Sequence, residues 1–412
     1  MFGCCRRVRP GRPFFKARHF AYGRAGSKSS AFNRFSLDIV RPFSYQTATI
    51  HTSIDRVPHD LKTAKGETMK AGCYTAIITP FQGPTVDWKG LDQLVEFQIA
   101  SGITGILAVG TTGESPVLTW DEHNQVTRKI AERCLNRCLC IAGTGSNNTA
   151  ETLEGTRHAA RFGAQAVLLV DPYYNGPSSL EIRREYVLPV ARAFPQIDVI
   201  PYVIPGRTGA QLLPEDLALA YAECPNVGTV KEATGSIENM RRTRECCGPD
   251  FTILSGDDPL TVEMMTDPRI AAAGVISVAS NVAPRAVTEM VALLMAGREA
   301  EARALAAKLA PLFNLVTVKT TEATRFGEVV CRARNPLAYK TLMALLGMPS
   351  GGCKPPLGKM TRSGLAQVIA TAETVQRTAP ELFQPIAECF GVNIQERIEN
   401  PKYREGLCYE AY

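Results

Sequence analysis

Asn226-Val-Gly-Thr-Val-Lys231-Glu-Ala-Thr-Gly235 is the stretch on which the fold turns. Val227 to Val230 read as a short β-branched, apolar strand, and Gly235 opens the turn that follows. Such a strand is buried on both faces in an α/β protein, so Lys231 stands where apolar wall gives way to loop. A charged ammonium there is costly unless it is paired or neutralised. Burial lowers a lysine pKa from roughly 10.4, and the neutral amine is the nucleophile that forms imines with carbonyl substrates. The stretch alone also admits a lysine that reaches solvent or bridges to an acid such as Glu232. The rest of the chain decides between them.

Moving outward, comparable apolar runs alternate with amphipathic segments from Cys73 onward. Strands are expected at Tyr74–Thr79, Gly105–Val109, Leu139–Ala142, Ala166–Val170, Val199–Val203, Gly228–Lys231, Thr252–Ser255 and Gly274–Val278. Helices are expected between them, among them Trp88–Ala100, Asp121–Cys134 with Asp121 as N-cap, Ala150–Phe162 and Leu180–Ala193. Pro214-Glu215-Asp216 opens the fifth helix, and the eighth covers Arg285–Met295. Eight strand–helix units in succession indicate an α/β fold of the closed (β/α)8 TIM-barrel type over residues 69–298. A C-terminal helical appendage follows over residues 299–384, with helices at Ala300–Leu315, Asn335–Leu346 and Gly364–Thr378. The loop Glu322–Glu328 and the tail 385–412 read as polar and irregular.

Charge is unevenly spread along the 412 residues. Residues 1–68 hold 13 Lys and Arg against 4 Asp and Glu, so the other residues hold 33 against 36. The net charge of +6 therefore comes from the leader, and no basic nucleic-acid surface is indicated for the folded part. Nine basic residues precede the first acid, Asp38, with Ser and Phe interspersed and no apolar core segment. That composition describes an organelle transit peptide, mitochondrial or plastid, rather than a secretory signal. No apolar run reaches the roughly 18 residues a membrane span needs. The 13 cysteines include no Cys-x-x-Cys pair, and they read as small core residues of a reduced compartment.

Active sites of this barrel class sit at the C-terminal ends of the strands, and the unusual polar residues fall there. Gly110-Thr111-Thr112-Gly113, after the second strand, offers backbone N–H groups and two hydroxyls that suit a carboxylate or phosphate; a tight turn without a ligand fits equally. Tyr174 and Tyr202 carry phenols that can move protons through a hydroxyl such as Thr111, or that simply pack. Arg207, flanked by Gly206 and Thr208, suits a bidentate grip on a carboxylate, with a surface salt bridge as the alternative. Beyond the leader only His123 and His158 occur, on different helices, which is too few for the imidazole cluster of a zinc aldolase. No metal or nucleotide cofactor is expected.

Four motifs in register carry a resemblance: Gly110-Thr-Thr-Gly-Glu114, Tyr173-Tyr174, Tyr202 with Pro205-x-Arg207-Thr-Gly, and Lys231-Glu-Ala-Thr-Gly235. With Ser255-Gly256-Asp-Asp258 and Gly274-Val-Ile276-Ser, residues 69–378 resemble the dihydrodipicolinate synthase family of the N-acetylneuraminate lyase superfamily. The resemblance implies a lyase that condenses pyruvate with L-aspartate 4-semialdehyde in diaminopimelate-type lysine biosynthesis. It implies Lys231 as the imine lysine and Thr111, Tyr174 and Tyr202 as a proton relay, Tyr174 crossing from a neighbouring subunit of a homotetramer. Thr112, Arg207, Gly256 and Ile276 become substrate-binding positions. Ser115, Trp120, His123, Asn147, Glu151 and Tyr173 become an interface site for feedback inhibition by lysine. Val203 departs from the family, many members of which carry asparagine there, and is expected to point away from Tyr202. Other pyruvate aldolases of the superfamily, acting on neuraminate or hydroxy-oxoglutarate, would use Lys231 and Tyr202 equally. An idle barrel used for assembly is the alternative of a different class.

Overall fold

The computed structural model describes residues 69–412. Eight parallel strands close on themselves: β1 (Gly72–Ala76), β2 (Gly105–Ala108), β3 (Leu139–Gly143), β4 (Ala166–Val170), β5 (Asp198–Val203), β6 (Thr229–Glu232), β7 (Thr252–Ser255) and β8 (Gly274–Ser277). Closure comes from β1, which pairs with β2 on one side and β8 on the other. At the β1–β8 seam a Cβ on Gly274 would lie 1.9 Å from the Gly72 carbonyl oxygen, so the backbones can meet there only without a side chain. The eight-unit barrel read from the sequence is the fold.

Helices α1 (Trp88–Ala100), α2 (Trp120–Cys134) and α3 (Thr149–Arg161) follow the first strands. Thr119, not Asp121, caps α2: its hydroxyl accepts from the Glu122 amide while the Glu122 carboxylate takes the Thr119 N–H, a reciprocal capping box. The fourth helical run is not uniform. It passes from Ser179–Glu181 through a wide π turn, Ile182–Val187, into Leu188–Ala193. Pro189 has no N–H to donate to the preceding turn, and the widened turn accommodates that loss. The remaining barrel helices are α5 (Pro214–Glu223), α6 (Ile237–Cys247), α7 (Thr261–Thr266) and α8 (Pro284–Met295), the fourth run counting as α4.

Two separate apolar clusters follow from strand alternation. Tyr74, Leu107, Ile141, Ile200, Tyr202 and Ile276 fill the barrel lumen, whereas residues such as Ile106, Cys140, Val199 and Val203 pack against the helices. Val203 thus faces away from Tyr202, as the alternation requires.

The appendage comprises α9 (Glu299–Phe313), α10 (Leu337–Leu346) and α11 (Arg362–Thr378). Two expectations are corrected here. Glu322–Glu328, read as an irregular loop, is the outer end of an antiparallel hairpin, β9 (Thr317–Thr324) with β10 (Gly327–Arg334). The segment read as an irregular tail contains α12 (Gln384–Phe390) and α13 (Ile394–Glu399), anchored by buried Ile386, Ile394 and Ile398. Both are short, and each buries too few apolar residues to show a period in the sequence. The basic leader lies outside the described residues. Among the described residues no helix is long and apolar enough to cross a membrane.

Candidate active site

Lys231 is the penultimate residue of β6, and Tyr202 lies directly opposite it on β5. Paired residues of parallel strands share a face, so both enter the lumen at its C-terminal mouth. The lysine Nζ sits 4.1 Å from the centre of the Tyr202 ring, and the lysine is 4 % exposed. It forms no ion pair among the described residues. Glu232 faces the other way and accepts from the Thr234 amide at 2.7 Å and Asn239 at 2.9 Å, so the Lys231–Glu232 bridge left open by the sequence does not form. Burial pushes Lys231 down to about 7; Asp258 opposes this and Arg207 adds to it. The amine is therefore substantially neutral at neutral pH.

Gly256 makes room for this lysine. A Cβ there would lie 2.9 Å from the Ala233 Cβ and 3.0 Å from the Lys231 Cε. Asp258 is buried beside it, accepting from the Val278 and Ala279 amides at 2.9 and 3.0 Å. Burial raises its pKa, and those bonds and Lys231 offset part of that rise.

Burial raises Tyr202 to about 12, partly countered by Arg207 and the Thr111 hydroxyl. The phenol thus stays protonated and able to donate. Arg207 rides on the short helical turn Pro205–Thr208 and forms no ion pair among the described residues, which removes the surface-bridge alternative. Its Nη2 donates to the Asn335 carbonyl at 3.2 Å, and burial lowers its pKa.

The Gly110–Gly113 loop is bracketed by left-handed residues, Val109 at φ 46° and Glu114 at φ 61°. A Cβ on Gly143 would lie 2.6 Å from the Val109 carbonyl, so β3 approaches this loop closely only through glycine. Strain of this kind needs outside support. Glu114 provides it: its carboxylate pairs with Lys340 of α10 at 2.7 Å and accepts from the Lys354 amide at 2.9 Å. Lys340 also donates to the Thr79 carbonyl at 2.8 Å. Asn335 ties the same loop from the appendage, its Nδ2 donating to the Thr112 hydroxyl at 3.0 Å, while its buried Oδ1 has no partner.

A cavity of about 390 Å³ is bordered by Lys231, Tyr202, Arg207, Thr112, Gly256 and Asn335. A second, of about 180 Å³, lies across Tyr202 and Arg207 and reaches Thr111, Ser115 and Tyr173. The structure therefore brings together every proposed imine-site residue except two. Ile276 lies deeper, in the lumen core, and Tyr174 is 87 % exposed and borders neither cavity.

The six residues of the expected lysine site also form one neighbourhood. The Tyr173 amide donates to the Asn147 Oδ1 at 2.6 Å, and the negative charge of Glu151 raises the Tyr173 pKa beyond the effect of burial. Glu151 accepts from the Ser146 hydroxyl at 2.5 Å. Trp120 packs 5.0 Å from the His123 ring and is 39 % exposed. His123 is buried, bonded to the Gly143 carbonyl at 2.9 Å, and pushed down to about 4, so it offers a neutral ring rather than a charge. Asn335, Lys340 and Asp258 carry no role in the sequence reading. Lys340 had a visible signal, as the one charge in the apolar helix Leu337–Leu346, and Asp258 had one in the rim motif Ser255-Gly256-Asp-Asp258.

Residues 69–375 match the Dihydrodipicolinate synthetase family. The chain belongs to it. The 4-hydroxy-tetrahydrodipicolinate synthase of Geotalea daltonii is 39 % identical over 303 residues, covering 73 % of this chain and 97 % of that protein. That of Methanococcus maripaludis is 36 % identical over 297 residues, covering 72 % and 96 %. Among solved structures, the 4-hydroxy-tetrahydrodipicolinate synthase of Methylacidiphilum fumariolicum superposes with a TM-score of 0.69 at 35 % identity, covering 76 % of this chain and 99 % of that chain. The family member from Cyanidioschyzon merolae, solved with lysine bound, gives 0.68 at 32 % identity, covering 75 % and 99 %. Dihydrodipicolinate synthases are class I aldolase-type lyases, and this chain is an enzyme of that type.

Proposed function

We propose that the chain is a 4-hydroxy-tetrahydrodipicolinate synthase that condenses pyruvate, held as an imine on Lys231, with L-aspartate 4-semialdehyde. The observation that carries this is a buried lysine at the barrel mouth, brought to about 7 and without an ion pair among the described residues, with a protonated phenol opposite and the Arg207 guanidinium bordering the same cavity. The amine attacks the pyruvate C2, and the carbinolamine loses water to give the imine. Loss of a C3 proton gives the enamine, whose C3 bonds to the aldehyde carbon of the acceptor. The acceptor's own amine then displaces the Lys231 nitrogen, closing the ring and freeing the enzyme. Thr112 and the loop amides suit the pyruvate carboxylate, and Tyr202 with Thr111 suits proton transfer at the carbinolamine and the new alkoxide. No metal or nucleotide is required for these steps.

Pyruvate with borohydride is the direct test: a mass fixed on Lys231 is expected, and its absence would refute the imine. A coupled assay comparing the semialdehyde with neuraminate and hydroxy-oxoglutarate decides among the superfamily's reactions. Arg207→Ala is expected to raise KM for the semialdehyde far more than for pyruvate. The loss is about 2–4 kcal/mol of transition-state binding, as for a charge-assisted pair. Equal damage to both substrates would make Arg207 structural.

Tyr174 supports an assembly. Its exposure beside an incomplete relay fits a phenol delivered to a neighbouring copy, in the homotetramer the family resemblance implies. Lysine is proposed as feedback inhibitor at Ser115, Trp120, His123, Asn147, Glu151 and Tyr173, supported by their clustering and by the lysine-bound relative. Glu151 would pair with an ammonium and Trp120 would cover the aliphatic stem. Glu151→Ala is expected to weaken lysine inhibition about tenfold or more while leaving uninhibited turnover within about twofold. Unchanged inhibition would remove this site.

A further inference from the structure

The hairpin β9–β10 brings cations to the cavity that none of the site residues above accounts for. Its register sets Arg334 opposite Thr317 and Arg332 opposite Lys319. One face of the hairpin therefore carries Lys319, Arg332 and Arg334, and all three border the 390 Å³ cavity that holds Lys231 and Arg207. The other face packs on the α11 start, where Thr320 bonds to Thr361 at 3.3 Å and Ser363 donates to Glu322 at 3.2 Å.

Like charges directly opposite one another in a sheet are unfavourable, and Lys319 and Arg332 are such a pair. Arg334 also repels Arg207 closely enough to help lower its pKa. Among the described residues none of these four cations has a carboxylate partner. Arginines on the helix surfaces do have partners, as in Arg128–Glu132 and Arg303–Glu299. The acids on the cavity are Asp257 and Asp258; burial raises the pKa of both, and Asp258 is already bonded to two amides. An anionic ligand would relieve this excess of positive charge.

The base of the hairpin is tied to the Arg207 turn in both directions. Arg334 Nη1 donates to the Gly206 carbonyl at 3.1 Å, and Arg207 Nη2 donates to the Asn335 carbonyl at 3.2 Å. Each guanidinium has five N–H donors, so each keeps several for a ligand.

We propose that the hairpin forms the outer wall of the acceptor subsite, with Arg334 as a second guanidinium that grips the acceptor's carboxylate together with Arg207. Lys319 and Arg332 extend the positive rim and draw anionic substrates inward. This inference rests on the reading of the chain as a pyruvate–semialdehyde condensing enzyme. The hairpin is then a specificity element: it favours an aldehyde bearing a carboxylate over one without.

The test compares wild type with Arg334→Gln on the semialdehyde and on 3-aminopropanal, the same aldehyde without its carboxylate. Arg334→Gln is expected to raise KM for the semialdehyde roughly tenfold, to leave KM for pyruvate within about twofold, and to shrink the preference for the carboxylate-bearing aldehyde. The Lys319→Gln/Arg332→Gln pair, which disturbs no bond to the Arg207 turn, is expected to flatten the salt dependence of kcat/KM for the semialdehyde. Should Arg334→Gln lose its fold, Arg334→Lys serves: it keeps the charge but not the fork, and an intermediate preference is expected. If both aldehydes lose rate equally, or the preference is unchanged, Arg334 only braces the turn and the proposal falls. Borohydride trapping of pyruvate on wild type separates the two levels. No adduct defeats the underlying reading, whereas an adduct with an unchanged preference defeats only the role of the hairpin.

Discussion

Lys231→Ala is expected to abolish turnover, by at least about a thousandfold, while leaving the barrel folded. The lysine bonds to no acid among the described residues, so its removal strips no partner. The cost is lost packing against Tyr202 and the lost attraction to buried Asp258, whose own pKa then rises further, and a thermal melt within a few degrees of wild type is expected. Lys231→Arg is expected to be equally inactive, because a guanidinium stays protonated and cannot form the imine. The pH profile follows from the same residue. Only the neutral amine attacks, and its pKa is about 7, so kcat/KM for pyruvate rises with pH through about 7 and levels above it. Tyr202, held near 12, adds no break below that range. Residual activity in either variant would place the nucleophile elsewhere, whereas an acid limb near the ordinary lysine pKa would show that burial does not lower the Lys231 pKa.

The barrel was legible because each strand–helix unit repeats a strong local pattern, and eight repeats leave few architectures. Lys231, Tyr202 and Arg207 were legible for a related reason: each interrupts an apolar strand end or a glycine turn at the same rim. The depth at which Lys231 sits was not, since burial depends on which strands flank it and on Gly256 leaving space. The hairpin escaped notice because its strands alternate Thr, Lys, Arg and Glu with few apolar residues, so only its contact with α11 reveals an inner face. Asn335 and Lys340 lie more than 200 residues from the loop they hold, a pairing no local pattern reports. The expected Asp121 cap failed for a nearer reason, because Thr119 and Glu122 satisfy each other.

That distant pairing yields the largest expected effect on stability. Glu114 and Lys340 are both fully buried, with 2.7 Å between their charged atoms. The lysine makes a further bond to Thr79 and lies 4.1 Å from the Phe81 ring centre. Burial lowers the Lys340 pKa, and Glu114 opposes that shift. A buried pair gains little over apolar residues of the same shape, but breaking it leaves one charge unpaired in the interior. Lys340→Met is therefore expected to cost about 3–5 kcal/mol, read as a lower denaturant midpoint at unchanged slope. Adding Glu114→Gln to Lys340→Met is expected to restore part of that loss, since no buried charge then remains. Glu114 also closes the loop whose amides are proposed to hold pyruvate, at a residue held in left-handed geometry. The double variant should therefore regain stability before it regains pyruvate affinity, with KM for pyruvate still raised while the midpoint recovers. A double variant no more stable than Lys340→Met would show that the loss comes from packing around α10 rather than from the stranded carboxylate.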